Sequence, residues 1–181
     1  MSDYRRSFIE GGTYFFTLVT YQRQPIFADS LSQSLLQSVW VNVKSRFPFT
    51  TDALCILPDH LHCILTLPSG DANYPIRLRE IKRRFTRAYL SQNKETYARN
   101  SSHLARGEAT IWQRRYWEHT IQDEDDFKHH LNYIHYNPVK HGYVTRVSDW
   151  QWSSFHQYVE KGYYEKEWGE NDPGFNLNYG E

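Results

Sequence analysis

The sequence predicts an α+β chain built on a ferredoxin-like, four-stranded antiparallel sheet with helices on one face and an added helix toward the C-terminus. Three observations predict it. Runs rich in β-branched and aromatic residues alternate with 3.6-period segments in the order βαββαβ. The third strand-like run, LPDHLHCILTLP at 57–68, sorts its residues strictly by parity. After the fourth strand comes a segment with several helix-start signals at once.

The first element is GGTYFFTLVTYQRQPIF, a glycine pair opening a β-branched, aromatic run that suits a central strand. LSQSLLQSVWVNVKSRF follows with Leu31, Leu35, Leu36, Val39 and Val43 at helical spacing. PFTTDALCILPDHLHCILTLP then reads as two short strands about a Pro-Asp turn. IRLREIKRRFTRAYL places Leu78, Ile81, Phe85 and Ala88 on one stripe, a second helix. WQRRYWEHTI reads as the fourth strand with an arginine pair at its entry. In QDEDDFKHHLNYIHYNPVKHGYV, Asp123 is the N-cap, three acids fill the first turn, and Pro138 is expected to stop the helix. From 144 to 181 the chain is aromatic and acidic, with a short helix near 153–160.

A chain of 181 residues suits one domain, here 1–181 with 144–181 as an extension. Its 39% hydrophobic content supports a packed core. No run is long and apolar enough for a membrane span, and the N-terminus lacks a signal-peptide core, so a cytoplasmic protein is expected. Cys55 and Cys63 both lie in apolar strands and are expected to be reduced core residues. The net charge of zero conceals a split: residues 1–117 hold 16 Lys+Arg against 9 Asp+Glu, and residues 118–181 hold 5 against 12. The basic part can grip phosphates.

Strand alternation puts Leu61, Cys63, Leu65 and Leu67 on one apolar face and His60, His62, Ile64 and Thr66 on the other. The apolar face goes to the helices, so both imidazoles point to the opposite side, where they can share an ion or simply decorate a solvated surface. Two histidines under-coordinate a metal, so a third ligand must come from elsewhere. On the 123–137 helix, at about 100° per residue, Asp126, His130, Tyr133 and Asn137 form a stripe beside the core residues Phe127, Leu131 and Ile134. Tyr133 and Asn137, four apart, project together. A metal on two imidazoles and an amide oxygen polarises a phosphodiester, and a tyrosine beside it is a nucleophile. An ordinary phenol pKa is near 10, so the metal or a neighbour such as His130 must assist proton loss.

These residues resemble the single-tyrosine His-hydrophobe-His (HUH) transposases, and more closely their REP-associated tyrosine transposase branch. The matching segments are YRRSFIEGGTYFFTLVT, LPDHLHCILTLP, REIKRRFTRAYL, IWQRRYWEHTI, HHLNYIHYNPVKHGYV and SDWQWSSFH, spanning most of residues 4–156. The specific signal is HLH at 60–62 combined with NYIHYNPVKHG at 132–142. The resemblance implies a single-strand DNA endonuclease and strand transferase that uses Mg²⁺ or Mn²⁺ and leaves a 5′-phosphotyrosine and a free 3′-OH. It implies His60 and His62 as the metal pair, Tyr133 as the nucleophile and Asn137 as the third ligand. Many mobile members carry Gln there, and Asn is shorter. The branch is associated with short palindromic repeats that fold as hairpins, so single-stranded DNA bearing such a hairpin is the expected partner of a monomer or homodimer.

The residues also suggest where DNA is held. Arg77, Arg79, Lys82, Arg83, Arg84 and Arg87 crowd one helix against Glu80, while Arg114 and Arg115 sit between Trp112 and Trp117. Arg5, Arg6, Arg83, Arg84, Arg87, Arg114 and Arg115 are therefore the candidate DNA contacts. The acidic tail is expected to fold over this basic surface and compete with DNA. Two other functions fit parts of the pattern: a non-catalytic single-stranded nucleic-acid-binding module, which has no use for a metal, and a small-phosphoester metallohydrolase, for which Tyr133 is dispensable.

Overall fold

The computed structural model describes residues 7–93 and 109–170. Its principal elements are β1 (Thr13–Val19), α1 (Ser30–Arg46), β2 (Thr50–Ile56), β3 (His60–Thr66), α2 (Tyr74–Gln92), β4 (Trp117–Thr120), α3 (Glu124–Lys140) and α4 (Phe155–Glu160). The sheet order is β2-β3-β1-β4. Every neighbouring pair is antiparallel, as a βαββαβ chain requires.

The parity read from the sequence divides the interior into two layers. Tyr14, Phe16 and Leu18 of β1 and Leu61, Cys63 and Leu65 of β3 pack against Leu36, Trp40 and Val43 of α1 and Leu78, Ile81 and Phe85 of α2. Phe15, Cys55 and Ile64, on the opposite face, pack against Leu131, Tyr133 and Ile134 of α3. Each large apolar side chain so buried contributes about 1.5–3 kcal/mol. The added helix thus covers the face that α1 and α2 leave open. Cys55 and Cys63 are both buried free thiols, on opposite faces of the sheet, and burial raises both thiol pKa values.

Helix starts follow side-chain capping: Asp29 accepts from the Ser32 N–H, Asn73 from Ile76 and Asp123 from Asp126. Several boundaries differ from the sequence expectation. Pro138 lies inside α3, which continues to Lys140; the missing N–H removes only one bond of the last turn, and the His141 N–H still bonds to the Asn137 carbonyl. β4 begins only at Trp117, leaving Arg114 and Arg115 exposed in the segment before it. Leu31 is exposed in the first turn of α1, where Ser32 and Gln33 take the buried side instead. Ala88 is half-buried and Tyr89 takes the core position. The described part of the acidic tail does not lie over α2. Tyr164 and Trp168 stack with each other and on Phe155, Tyr164 contacts His135, and Trp168 contacts Tyr136, both residues of α3.

Candidate active site

His60 and His62 open β3 on the α3 face, and both are buried. One neighbour on β1 and one in the β2–β3 turn each engage the Nδ1 of one ring. Thr17, cross-strand from His62, places its hydroxyl 2.9 Å from His62 Nδ1. Asp59, in the β2–β3 turn, places its carboxylate 2.5 Å from His60 Nδ1 and is itself held by Arg23 at 3.1 Å. The rings lie 4.8 Å apart at 84°. With both Nδ1 atoms engaged, the Nε2 lone pairs are the groups left to face the site.

Asn137 arrives from α3, fully buried and close to His62. His60 Nε2, His62 Nε2 and both side-chain polar atoms of Asn137 are buried without hydrogen-bond partners. Four such atoms in one place would be costly in a purely structural core, since each forfeits its solvation without replacement. Two imidazole nitrogens and an amide oxygen form a donor set that suits a divalent cation. Burial, followed by the neighbouring His60, His141 and Lys140, holds the His62 pKa well below its usual value, so the imidazole is neutral and a competent ligand.

Tyr133, one turn before Asn137, brings its ring to 5.1 Å from that of His62. Phe15 stands at the centre, in contact with His62, His130, Tyr133 and Trp117 at 4.8–5.8 Å. The Lys140 ammonium lies 4.9 Å from the centre of the Tyr133 ring, and His141 stacks edgewise on His60 at 5.2 Å. Tyr136 instead turns toward Trp168. The structure therefore brings His60, His62, Tyr133 and Asn137 together.

Thr17, Asp59 and Phe15 were missed by the sequence reading because their roles depend on cross-strand register and turn geometry. Lys140 and His141 carried a signal, lying within the run NPVKHG at 137–142.

Among the described residues, His119, Asp126 and His130 form a second group of possible ligands, with atoms within 4.8 Å of one another. Its geometry is that of a hydrogen-bonded triad. Asp126 takes His119 Nε2 at 2.8 Å on one oxygen and His130 Nδ1 at 2.9 Å on the other. The rings stack at 4.5 Å and 15°, so their in-plane lone pairs run nearly parallel instead of converging on one ion. The triad fastens β4 to the first turns of α3.

The basic residues divide. Arg77 is buried, and its guanidinium bonds to the Pro48 and Asn73 carbonyls and to Asp71, a structural role. Glu80 holds both Arg83 and Arg84, and Arg84 also reaches Asn42 on α1. These residues and Arg87 lie in the α1–α2 layer, across the sheet from Tyr133. Arg114 and Arg115 lie at the imidazole end of the sheet, since both Trp117 and His62 pair with Thr17. Arg114 also lines a groove of about 400 Å³ with Arg79, Lys82 and Tyr116. Arg5 and Arg6 lie outside the described residues.

A sheet carrying two inward imidazoles, faced by a helix that presents a tyrosine and an amide, defines the class of tyrosine-dependent DNA-processing enzymes. The chain belongs to the IS200-like transposase family, which it matches over residues 9–137, and within it to the REP-associated tyrosine transposases, enzymes that transfer phosphoryl groups on DNA. It is 42% identical over 168 residues to the REP-associated tyrosine transposase of Escherichia coli K12, covering 93% of this chain and 91% of that one. A Haemophilus influenzae protein provisionally given the same name is 45% identical over 172 residues, covering 94% and 95%. A solved structure of a REP-associated tyrosine transposase bound to a REP hairpin superimposes with a TM-score of 0.78 at 39% identity, covering 99% of this chain and 98% of that one. No helix among the described residues is long and apolar enough to cross a membrane.

Proposed function

We propose that this protein is a divalent-metal-dependent endonuclease and strand transferase for single-stranded DNA that folds into palindromic hairpins, working through a covalent 5′-phosphotyrosine on Tyr133. One observation carries the reading: three buried ligand atoms without hydrogen-bond partners, His60 Nε2, His62 Nε2 and the Asn137 amide oxygen, meet beside a buried tyrosine. A nucleic-acid-binding module has no need of such a cluster, and a small-phosphoester hydrolase has no need of the tyrosine. The relative solved with a REP hairpin supports the substrate class.

His60, His62 and the Asn137 amide oxygen would hold Mg²⁺ or Mn²⁺, and the ion would supply Lewis-acid polarisation of the phosphodiester. The Tyr133 oxygen attacks the phosphorus as the bond to the 3′ oxygen breaks. The phenol loses its proton, the leaving oxygen gains one, and the products are a 5′-phosphotyrosine and a 3′-OH. Lys140 places a positive charge above the Tyr133 ring. His130, one turn earlier on α3, is kept neutral by burial and can accept a proton. Thr17 and Asp59 orient the imidazoles. Tyr133, His62 and Asn137 are all fully buried, so DNA must displace part of the cover over the site before reaction. Arg83, Arg84, Arg87, Arg114 and Arg115 are the proposed phosphate contacts among the described residues, with Arg5 and Arg6 beyond them.

The test is incubation with a labelled single-stranded palindrome and Mg²⁺ or Mn²⁺, followed by peptide mapping. A nucleotide adduct on Tyr133 with a free 3′-OH on the released strand is expected. Metal-dependent cleavage with no adduct would support the hydrolase reading instead.

A further inference from the structure

A ladder of aromatic rings leads out of the site. His60 contacts His141 at 5.2 Å, His141 stacks on Tyr143 at 5.9 Å and 29°, and Tyr143 stacks on Trp150 at 5.7 Å and 29°. The inner end is a proposed metal ligand, fully enclosed, whereas Tyr143 is 42% exposed. Gly142 makes the path possible. Its φ of +70°, with open space where a Cβ would stand, turns the chain sharply out of α3 so that residues 141 and 143 present nearly parallel rings. The outer end is anchored, because Trp150 donates its indole N–H to the Ile56 carbonyl at 3.0 Å. The ladder is therefore built on rigid supports at both ends.

Resting on the reading of Tyr133 as a DNA nucleophile, we infer that Tyr143, backed by Trp150 and His141, is a stacking platform for an unpaired base next to the scissile phosphate. Three features specify that ligand. The platform is joined to the phosphoryl-transfer site through His141, which meets His60 edge-on at 72°, so it lies beside the nucleotides next to the reaction. It offers stacking in place of a row of side-chain donors, which suits a single strand and is tolerant of base identity. Lys140, one residue before His141, adds a cation for the connecting phosphate. A paired duplex does not fit, since its bases already stack on each other. The platform would hold the strand in register while Tyr133 attacks.

The experiment is binding of wild type, Tyr143→Leu and Tyr143→Phe to a single-stranded hairpin substrate, with an abasic residue walked through the unpaired positions. Thermal melting checks that each variant is folded. Wild type should lose about 5- to 100-fold in affinity at one abasic position, the range for a single stacked base. Tyr143→Leu should show that loss on the intact substrate and no further loss at that position, and Tyr143→Phe should behave as wild type. Equal affinities for all three folded proteins would overturn the platform, as would an abasic penalty that Tyr143→Leu leaves unchanged. Adduct formation on Tyr133 by the wild type, scored separately, shows whether the underlying nuclease reading survives such a result. If the wild type binds no single-stranded DNA, both fall.

Discussion

Thr17 of β1 and His62 of β3 are cross-strand partners, and the threonine hydroxyl lies 2.9 Å from the imidazole Nδ1 while Nε2 faces Asn137. The hydroxyl occupies Nδ1, so Nε2 is the nitrogen that the proposed metal would use. Thr17→Val keeps the shape and removes that bond. Mn²⁺ affinity, measured by calorimetry on the folded protein, is expected to fall by about 10- to 100-fold. Asp59→Asn should act similarly through His60. Unchanged affinity in both would mean that the metal does not use these rings.

Phe15 bears on four aromatic neighbours of the site, His62, His130, Tyr133 and Trp117. It lies on the β1 face that α3 covers, fully buried. Phe15→Ala should cost about 3–5 kcal/mol in urea unfolding, because the cavity it leaves is bounded by a sheet and a helix that cannot close together freely. A loss below about 1 kcal/mol would show that the α3 layer is only loosely packed.

Glu80 couples stability to the basic surface. Its carboxyl is held down to about 2, chiefly by the hydrogen bond from Arg83, with Arg84 adding to it against some desolvation. A depressed carboxyl stabilises the fold above the unfolded value near 4.5, and that contribution disappears as pH falls from there through about 2. Glu80→Gln should therefore flatten the acid limb of a stability profile over that window. The same change releases two arginines. If they touch DNA phosphates, affinity at low salt should rise, and the combined neutralisation of Arg83, Arg84 and Arg87 should flatten the slope of log K against log salt by up to about 3. An unaltered slope in the triple variant would assign the cluster to packing between α1 and α2 alone.

The sheet was legible in the sequence because parity is a local property. His60 and His62 could be separated from Leu61 and Cys63 by counting, and the four strands followed from β-branched and aromatic runs. The pairing of Tyr133 with Asn137 was equally local, set by helical spacing on α3. What stayed hidden depends on register and on burial from a distance. Thr17 reaches His62 only because β1 pairs with β3 without offset. Arg77 looked like its basic neighbours, yet it is buried against the Pro48 carbonyl at the end of α1. Pro138 was read as a stop because its lost hydrogen bond is a local fact, whereas the helix continues on bonds made by the residues around it.

Tyr133 and Tyr136 stand three residues apart on α3, and the structure separates their surroundings fully. Tyr133 is buried against His62, Phe15 and the Lys140 ammonium, while Tyr136 contacts Trp168 and stands 3.3 Å from where a Cβ on Gly169 would lie. Only the first lies beside the imidazole pair proposed to hold the metal. Tyr133→Phe removes one oxygen and should change stability by about 0.5–1.5 kcal/mol, the range for a single hydrogen bond, with cleavage lost. Tyr136→Phe retains the ring that packs on Trp168 and should cleave at close to the wild-type rate. The measurement is strand cleavage and covalent adduct on a single-stranded hairpin with Mn²⁺, each variant first checked by thermal melting. If Tyr136→Phe is inactive while Tyr133→Phe cleaves, the nucleophile sits on the C-terminal-segment side of α3, and Tyr133 serves the core alone.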